Sequence, residues 1–351
     1  MTNPGADHAA PTSVDGQHWY SRLQRTLAAG RFAVTAEVVP PRGATLNGIK
    51  RIATHLHEWI DAANITDGQG AVARMSSWAG SIGLLQAGVE PVMQLSCRDR
   101  NRIALQADLL GAAAVGIPNV LCLTGDHPRF GDHPDARPVF DMDSVQLLWT
   151  ARTLRDEKRL LSDLKLSSAP RWFIGAVENP SAAPQRFRAE RLGKKIAAGA
   201  QFIQTQFVFD VPIVERWMQQ VRDLGLDKRC GIIAGVGPIR STRALEVLTS
   251  LPGVYIPDDV VKRVKSMPPE RQEQDAIDLC SETIQRLHEI PGISGVHIIA
   301  SGWDDFIPEV LTRAGIGKRE DLDTPTQSAD DAAVTAAAKA RTRSGGRKVA
   351  D

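Results

Sequence analysis

The chain has 351 residues, 42% of them hydrophobic, which suits one large domain with tails better than one small domain. Its 42 Lys and Arg nearly balance 41 Asp and Glu, so the net charge of +1 gives no support for nucleic acid or a membrane surface as a general partner. The apolar stretches are shorter than a membrane span, and the polar N-terminus lacks the order of a signal peptide, so we expect a cytoplasmic protein.

Short apolar runs, predicted to be strands, alternate with helix-length segments along most of the chain. A helix is predicted from Trp19 to Ala29, and the first strand begins at Phe32. The eight apolar runs end at Glu37, Asp67, Arg98 with Asp99, Asp126, Glu178, Gln206, Gly237 and His297. This repeat predicts a (β/α)8 TIM barrel, an α/β fold, over residues 18–316. Residues 1–17 and 317–351 are predicted to be disordered tails, because they are poor in large apolar side chains.

Two connections in this predicted barrel are unusual. The loop after strand four, HPRFGDHPDARPVFDMD, is the longest irregular segment, and loops of this length in a compact domain are usually functional. A helical insertion is predicted from about Pro257 to Glu289, between strands seven and eight, with the sequence PPE at Pro268 as a helix start. In barrels of this kind the loops after the strands build the active site, so we expect chemistry at the strand ends.

Glu37 follows small and apolar residues near the end of the first strand. A carboxyl group with such neighbours is expected to have a raised pKa, which is what a general acid near neutral pH requires. An ion pair with an arginine such as Arg42 is an equally supported alternative.

Asp126 closes the fourth strand in the sequence LTGD, where Gly125 lets the backbone approach a ligand closely. An ionised carboxylate there would stabilise a developing cation or act on a cofactor ring. A capping or turn role at the start of the long loop is the alternative that spacing alone favours.

Gln206 ends the sixth strand, where a buried amide could bind the edge of a heterocycle through its donors and acceptor. Asp210 is expected to act as a turn or cap residue. Lys194 and Lys195 lie in the helical segment after strand five and could meet a phosphate, although adjacent lysines usually form a solvated face.

Several other kinds of site are disfavoured. The four cysteines form no CxxC pair, and the spacing of His127, Asp132 and His133 is not that of metal ligands, so no metal is expected. A Walker A motif is absent, and no GxGxxG sequence follows a strand. No strand end carries a lysine within an apolar run, which disfavours a Schiff-base enzyme, and no Ser-His-Asp or Cys-His arrangement is readable.

Six segments, in order, resemble the methylenetetrahydrofolate reductase family. They are AEVVPPRG (36–43), NITDGQGAVARMSS (64–77), MQLSCRDRN (93–101), LCLTGDHPRFGD (121–132), KKIAAGAQFIQTQFVFD (194–210) and IIAGVGP (232–238). The resemblance spans roughly Ala33 to Ala314, and its RMSS and CRDRN blocks are closer to the branch found in acetogenic bacteria.

The resemblance implies a barrel that binds FAD at its mouth and reduces 5,10-methylenetetrahydrofolate to 5-methyltetrahydrofolate by two hydride transfers, with NAD(P)H as the usual donor. Glu37 would protonate the folate amine, and Asp126 would bind the pterin and stabilise a cationic iminium. Gln206 is implied as a folate contact. The implied flavin contacts are Thr66, Gln94, Gly125, Asp126, Asn179 and Lys195.

The sequence departs from the family pattern at five positions. The family has histidine where this chain has Gln94 and Asn179, and often arginine where it has Thr124. An aromatic residue after strand seven is replaced by Thr242. An arginine near the end of strand eight has no counterpart, and Trp303 could stack on the folate instead.

Three other functions remain open at this point. The first is a flavin-free, pterin-binding methyltransferase, and the second is a reductase that passes hydride directly to the folate without flavin. The third is a reductase subunit that takes electrons from a partner protein. A homo-oligomer is expected from the habit of the family alone.

Overall fold

The computed structural model describes residues 19–251, 253–300 and 302–319. Eight parallel strands pair in chain order and close into a barrel. The strands are β1 (Ala33–Val38), β2 (Ala62–Ile65), β3 (Pro91–Ser96), β4 (Asn119–Leu123), β5 (Phe173–Glu178), β6 (Phe202–Phe207), β7 (Gly231–Val236) and β8 (Ile293–Ile298). The predicted α/β fold, a (β/α)8 TIM barrel, is therefore confirmed.

One helix precedes β1, one follows β8, and the others lie in the connections between successive strands. The helices are α1 (Arg22–Ala28), α2 (Asn47–Leu56), α3 (Ser77–Gln86), α4 (Arg102–Ala114), α5 (Ser144–Arg152), α6 (Arg188–Ala198), α7 (Val211–Asp223), α8 (Thr242–Ser250), α9 (Asp258–Ser266), α10 (Gln272–His288) and α11 (Ile307–Arg313). The first helix begins at Arg22 rather than at Trp19, because the Ser21 side chain accepts a hydrogen bond from the Gln24 amide and caps it there. The predicted insertion consists of α9 and α10, joined by a 3-10 turn at Pro269–Arg271.

The N-terminal end of the barrel is sealed by α1. Its Leu23 side chain packs on the lowest interior layer, which comprises Ala33, Ala62, Val92, Leu121, Phe173, Phe202 and Ile233. The amides of Arg22 and Leu23 donate hydrogen bonds of 2.6 and 3.0 Å to the buried carboxylate of Glu90. Because this end is filled and hydrogen-bonded, the C-terminal mouth of the barrel is the end that a ligand can enter.

The last described residues also lie against the N-terminal end of the barrel. Arg319 places Nη2 3.1 Å from Asp61 Oδ2 and donates a hydrogen bond to the carbonyl of Phe32. Residues 317–319 belong to the segment predicted to be a disordered tail, and Arg319 is fixed by these contacts. The other residues of the two predicted tails, 1–17 and 320–351, lie outside the described residues.

Burial also defines the chemistry of the four cysteines. All four thiols are buried, and burial raises the pKa of Cys97 and of Cys280 to about 12. These thiols are therefore uncharged near neutral pH and act as small apolar side chains. Among the helices that the structure describes, none combines the length and the apolar character needed to cross a bilayer.

We expect Gly175→Ala to lower the free energy of unfolding by about 1–3 kcal/mol, because a Cβ at Gly175 in β5 would overlap the ring of Phe202. That ring is stacked on Phe173 with centroids 4.9 Å apart, so it has little room to move. Gly193→Ala in α6 is the matched control, since its Cβ would meet Leu226 at an ordinary 3.6 Å and should stabilise the helix. Urea unfolding measures both, and equal effects would contradict this account of β5.

Candidate active site

Glu37 lies one residue before the C-terminal end of β1 and is 7% exposed. Burial raises the pKa of its carboxyl group to about 7, against a smaller opposing effect of a 3.1 Å hydrogen bond from Gln69 Nε2 to Oε1. The alternative pairing with Arg42 is wrong, because the Arg42 guanidinium lies 4.0 Å from Asp132 instead. The site therefore contains a carboxyl group that can hold or release a proton near neutral pH.

A layer of neutral polar side chains lies below Glu37 inside the barrel. Thr35 Oγ1 is 2.9 Å from His297 Nδ1, and Gln204 donates to Thr35 and to Asn64 at 3.2 and 3.0 Å. Burial lowers the pKa of His297 to about 3, so its ring is uncharged at neutral pH. Although His297 ends an apolar run in the sequence, it belongs to this interior layer and supplies no charge to the mouth.

A short loop after β2, which we call the Gly68–Ala71 loop, connects the two carboxyl groups predicted to act in catalysis. The Gln69 side chain bonds to Glu37, and the Gly70 amide donates to Asp126 Oδ2 at 3.2 Å. The same carboxylate is exposed after β4, so Asp126 can face a ligand while it fixes the loop. Asp126 caps none of the described helices. Its hydrogen bond from the Gly70 amide nevertheless stabilises a turn, which is part of the role that the spacing suggested.

Gly125 lets the chain after β4 pass close to β3. Its φ of +91° is in the left-handed region, and an added Cβ would lie 3.1 Å from the Cβ atoms of Ser96 and Arg98. The neighbouring Thr124 hydroxyl accepts a hydrogen bond from the Ser144 amide at the start of α5. This residue, which replaces an arginine of the family pattern, therefore holds the long loop to the helix that follows it.

Two predicted flavin contacts are buried polar residues, one directly after β2 and one on β3. The Thr66 hydroxyl is fully buried and lacks a partner within the described part of the chain. Gln94 follows the inward-facing Val92 by two residues, so it too faces the barrel interior, where it is 8% exposed. Such groups are expected to find a partner when a polar ligand binds, because unpaired buried polar groups destabilise a fold.

The two predicted contacts near β5 are already engaged. Lys195 Nζ lies 2.9 Å from Glu178 Oε2 and also donates to the carbonyl of Val177, and Arg188 lies 3.6 Å from the same glutamate. Burial of Lys195, 5% exposed, lowers the pKa of its amine despite the glutamate. Asn179 donates to the Gly253 carbonyl at 2.7 Å, which joins the loop after β5 to the segment after α8.

Gln206 lies at a bulge near the end of β6, where the pairing with β7 shifts register. Its Oε1 accepts a hydrogen bond of 3.0 Å from the amide of Phe207, so its amide nitrogen is the end available to a ligand. The Thr205 hydroxyl stabilises the bulge, since it donates to the Gln206 carbonyl and accepts from the Gly235 amide. Asp210 caps α7 by accepting from the Ile213 amide, as the sequence indicated.

Trp303 follows β8, on the side of the mouth opposite β4 and β5. Its ring stacks on Phe306 with centroids 5.0 Å apart, and the Arg240 guanidinium lies 5.9 Å from it. The partly exposed indole therefore offers a flat apolar surface beside a cation. Thr242, where the family pattern has an aromatic residue, is exposed in the first turn of α8.

Sequence reasoning missed Gln69 and the inward-facing layer of Thr35, Asn64 and Gln204. Gln69 lies in the Gly-rich sequence GQGA, and this was the one local signal for a functional loop. The interior layer left a signal too, because polar residues interrupt three apolar strands at alternating positions.

Comparison with known proteins agrees with this geometry. The family model described as methylenetetrahydrofolate reductase matches residues 22–315. A probable methylenetetrahydrofolate reductase (NADPH) of Caenorhabditis elegans is 23% identical, over 86% of this chain and 45% of its own length. A 5,10-methylenetetrahydrofolate reductase of Pectobacterium carotovorum is 26% identical, over 67% of this chain and 74% of its own. The chain thus spans about half the length of several curated relatives.

Solved structures share the fold, and one of them binds a folate. This one is a Clostridium thermocellum protein that binds two copies of 5-methyl-5,6,7,8-tetrahydrofolic acid, and it matches with a TM-score of 0.56 and 16% identity. The alignment covers 83% of this chain and 97% of that one. At this identity the likeness establishes the barrel architecture.

Proposed function

Because the chain belongs to the methylenetetrahydrofolate reductase family, we propose that it reduces 5,10-methylenetetrahydrofolate to 5-methyltetrahydrofolate, or catalyses the reverse, in one-carbon metabolism that feeds methionine synthesis. The observation that carries this proposal is Glu37, a buried carboxyl group at the barrel mouth with a pKa of about 7. A reaction that opens a ring at an amine needs such a proton donor near neutral pH.

In this proposal each side chain at the mouth has a distinct task. Glu37 donates its proton to the folate amine, so that the five-membered ring opens to the reactive iminium. Asp126 lies exposed across the Gly68–Ala71 loop, and its carboxylate stabilises the positive charge that develops. Gln206 turns its free amide nitrogen toward an acceptor on the pterin, and Trp303 supplies an apolar surface for stacking.

FAD would supply a hydride store between the electron donor and the folate. Thr66, Gln94 and Gly125 suit such a group, because they offer an unpaired hydroxyl, a nearly buried amide and a close backbone approach at the ends of neighbouring strands. Asn179 and Lys195 suit it less, since both side chains already have internal partners. We therefore assign flavin binding to the β2–β4 side of the mouth and a structural role to Lys195.

NADH or NADPH is the proposed electron donor. Among the relatives that match this chain, some are named as NADPH enzymes and others as NADH enzymes. The acetogen-type branch, a partner redox subunit, a homo-oligomer and the cytoplasmic location stay predictions. A folate substrate is supported by the family and by the bound molecule of the C. thermocellum neighbour.

A flavin-free route is the second candidate function. The engagement of Lys195 by Glu178 and of Asn179 by the Gly253 carbonyl favours it, because these two implied flavin contacts are not free to bind a cofactor. Hydride would then pass directly from the nicotinamide to the folate, with Glu37 in the same role. A pterin-binding methyltransferase would share the mouth but transfer a methyl group without any redox change.

An absorption spectrum of the purified chain, repeated anaerobically with NADH, separates these candidates. A band at about 450 nm that NADH bleaches supports the flavin-dependent reductase, and a band that NADH leaves oxidised supports another donor or a partner subunit. Absence of the band with NADH-dependent formation of 5-methyltetrahydrofolate supports the flavin-free reductase. Absence of both the band and any redox turnover would overturn the proposal in favour of methyl transfer.

The proposed acid role also predicts a pH profile. Turnover of the methylene folate should be highest below about pH 7 and should fall about tenfold per pH unit above it, because Glu37 must carry its proton and its pKa is raised to about 7. Steady-state kcat/KM between pH 5 and 9, with substrate stability checked at each pH, measures this. An alkaline limb centred near the ordinary glutamate pKa would contradict the assignment.

A further inference from the structure

The Gly68–Ala71 loop crosses the barrel mouth in an unusual backbone conformation. Gly68, Gly70 and Ala71 have φ values of +58°, +66° and +59°, so three of four residues are in the left-handed region. Glycine adopts this region without strain, whereas at Ala71 it carries a steric cost that surrounding contacts must offset. Here the conformation of the loop turns the exposed Gln69 side chain back toward the buried carboxyl group of Glu37.

Contacts from the loop after β3 and from the loop after β4 hold this loop. Arg98 Nη1 donates to the Gly68 carbonyl at 3.0 Å, and Asp126 accepts from the Gly70 amide at 3.2 Å. A Cβ at Gly131 would overlap the Ala71 carbonyl, so the long loop packs tightly against this segment. The position of Gln69 is therefore set by several elements of the mouth.

Gln69 supplies the one hydrogen bond that the Glu37 carboxyl group makes among the described residues. A protonated carboxyl group has one carbonyl oxygen and one hydroxyl oxygen. An amide N–H bonds well to the carbonyl oxygen, whereas the hydroxyl oxygen is a poor acceptor. When Glu37 is protonated, the bond from Nε2 to Oε1 therefore places the proton on Oε2. The same bond fixes the rotation of the carboxyl group.

We propose that Gln69 is a positioning residue for the reaction, which orients the Glu37 carboxyl group so that Oε2 carries and delivers the proton. This proposal rests on the proposed function, since it takes Glu37 to be the acid. In this step one proton moves from Oε2 to the substrate nitrogen, and the resulting carboxylate keeps its hydrogen bond from Gln69.

None of the titratable groups described around Glu37 bonds to its carboxyl group, so Gln69 is its specific polar partner. On the flanking β8, His297 is uncharged at neutral pH. After β2, Asp67 is paired with Arg100 at 2.7 Å, and Asp126 lies across the loop and bonds to it. The pKa of Glu37 reflects burial, which raises it, and the Gln69 hydrogen bond, which lowers it.

Gln69→Met tests the proposal, because methionine keeps the length of the side chain but has no N–H donor. The bond between the Gly70 backbone and Asp126 is kept, so only the contact with Glu37 is removed. We expect kcat to fall about three- to tenfold and the alkaline limb of its pH profile to move up by about half to one unit, since the donor that favours the charged carboxylate is lost. Gln285→Met, on the exposed face of α10, is the matched control and should change neither.

A readout without substrate separates failure of this inference from failure of the proposed function. Infrared difference spectra of ligand-free protein, with Glu37→Gln as reference, follow the carboxyl band of Glu37 against pH. The midpoint should be about 7 in the natural chain and higher in Gln69→Met. An unchanged midpoint together with an unchanged kcat profile would overturn the role of Gln69. A shifted midpoint in a protein that turns over no folate would overturn the proposed function alone.

Discussion

Glu37→Gln should lower kcat for methylene folate reduction by about 10²- to 10⁴-fold, the range typical for loss of a general acid. Glutamine has nearly the same size and keeps a carbonyl oxygen that can accept from Gln69, so the fold of the mouth should be preserved. What it lacks is a proton that can be transferred near neutral pH. Stopped-flow or steady-state assay of 5-methyltetrahydrofolate formation measures the loss.

Two comparisons make this result specific to the acid role. Glu58→Gln changes an exposed glutamate after α2 that pairs with Lys318, and it should leave kcat unaltered. Reduction of any bound flavin by NADH should also be nearly unchanged in Glu37→Gln, because that step involves no folate amine. Folate turnover close to that of the natural chain would show that Glu37 is not the acid.

Lys195→Met should lower the free energy of unfolding by about 3–5 kcal/mol, because removal of one partner leaves a buried charge without its main counterion. Glu178 has a side chain that is 1% exposed, and after the substitution only Arg188, at 3.6 Å, would remain near it. The loss should be the same whether or not a flavin is bound. Chemical denaturation followed by circular dichroism measures it.

Lys194→Met is the matched control, since this neighbouring lysine on α6 is exposed and should change stability by no more than about 0.5 kcal/mol. The pair also discriminates between the two roles considered for Lys195. If Lys195→Met were as stable as Lys194→Met but had lost flavin, the amine would be a cofactor contact and the ion pair with Glu178 would be incidental.

The barrel could be predicted because its information is local. Each strand is a short apolar run and several helices have their own start signal, such as Asp210 before α7, so the eight units are visible one at a time. The predicted secondary-structure elements differ from the observed ones at their ends. The first helix begins at Arg22 instead of Trp19, because a single side-chain cap at Ser21 decides where the helical hydrogen bonds start.

The roles of the site residues could be predicted only as alternatives. For Glu37 the sequence allowed either an acid role or an ion pair with Arg42. The structure decides between the two roles, because Arg42 lies beside Asp132 instead. For Lys195 it left a phosphate contact and a solvated face open, whereas the amine is buried against Glu178, 17 residues earlier in the chain. Neither partner is apparent from spacing, because Arg42 meets Asp132 between two loops and Lys195 meets Glu178 only where α6 packs on β5.

By itself, then, the sequence determined the order of strands and helices, the end of the barrel where chemistry is expected and the carboxyl groups placed there. The tertiary structure alone decided the protonation of Glu37 near neutral pH, because its pKa depends on water excluded by other strands and on a hydrogen bond from Gln69. Apolar periodicity is a property of neighbouring residues along the chain. Desolvation and side-chain partners are properties of residues that only folding brings together.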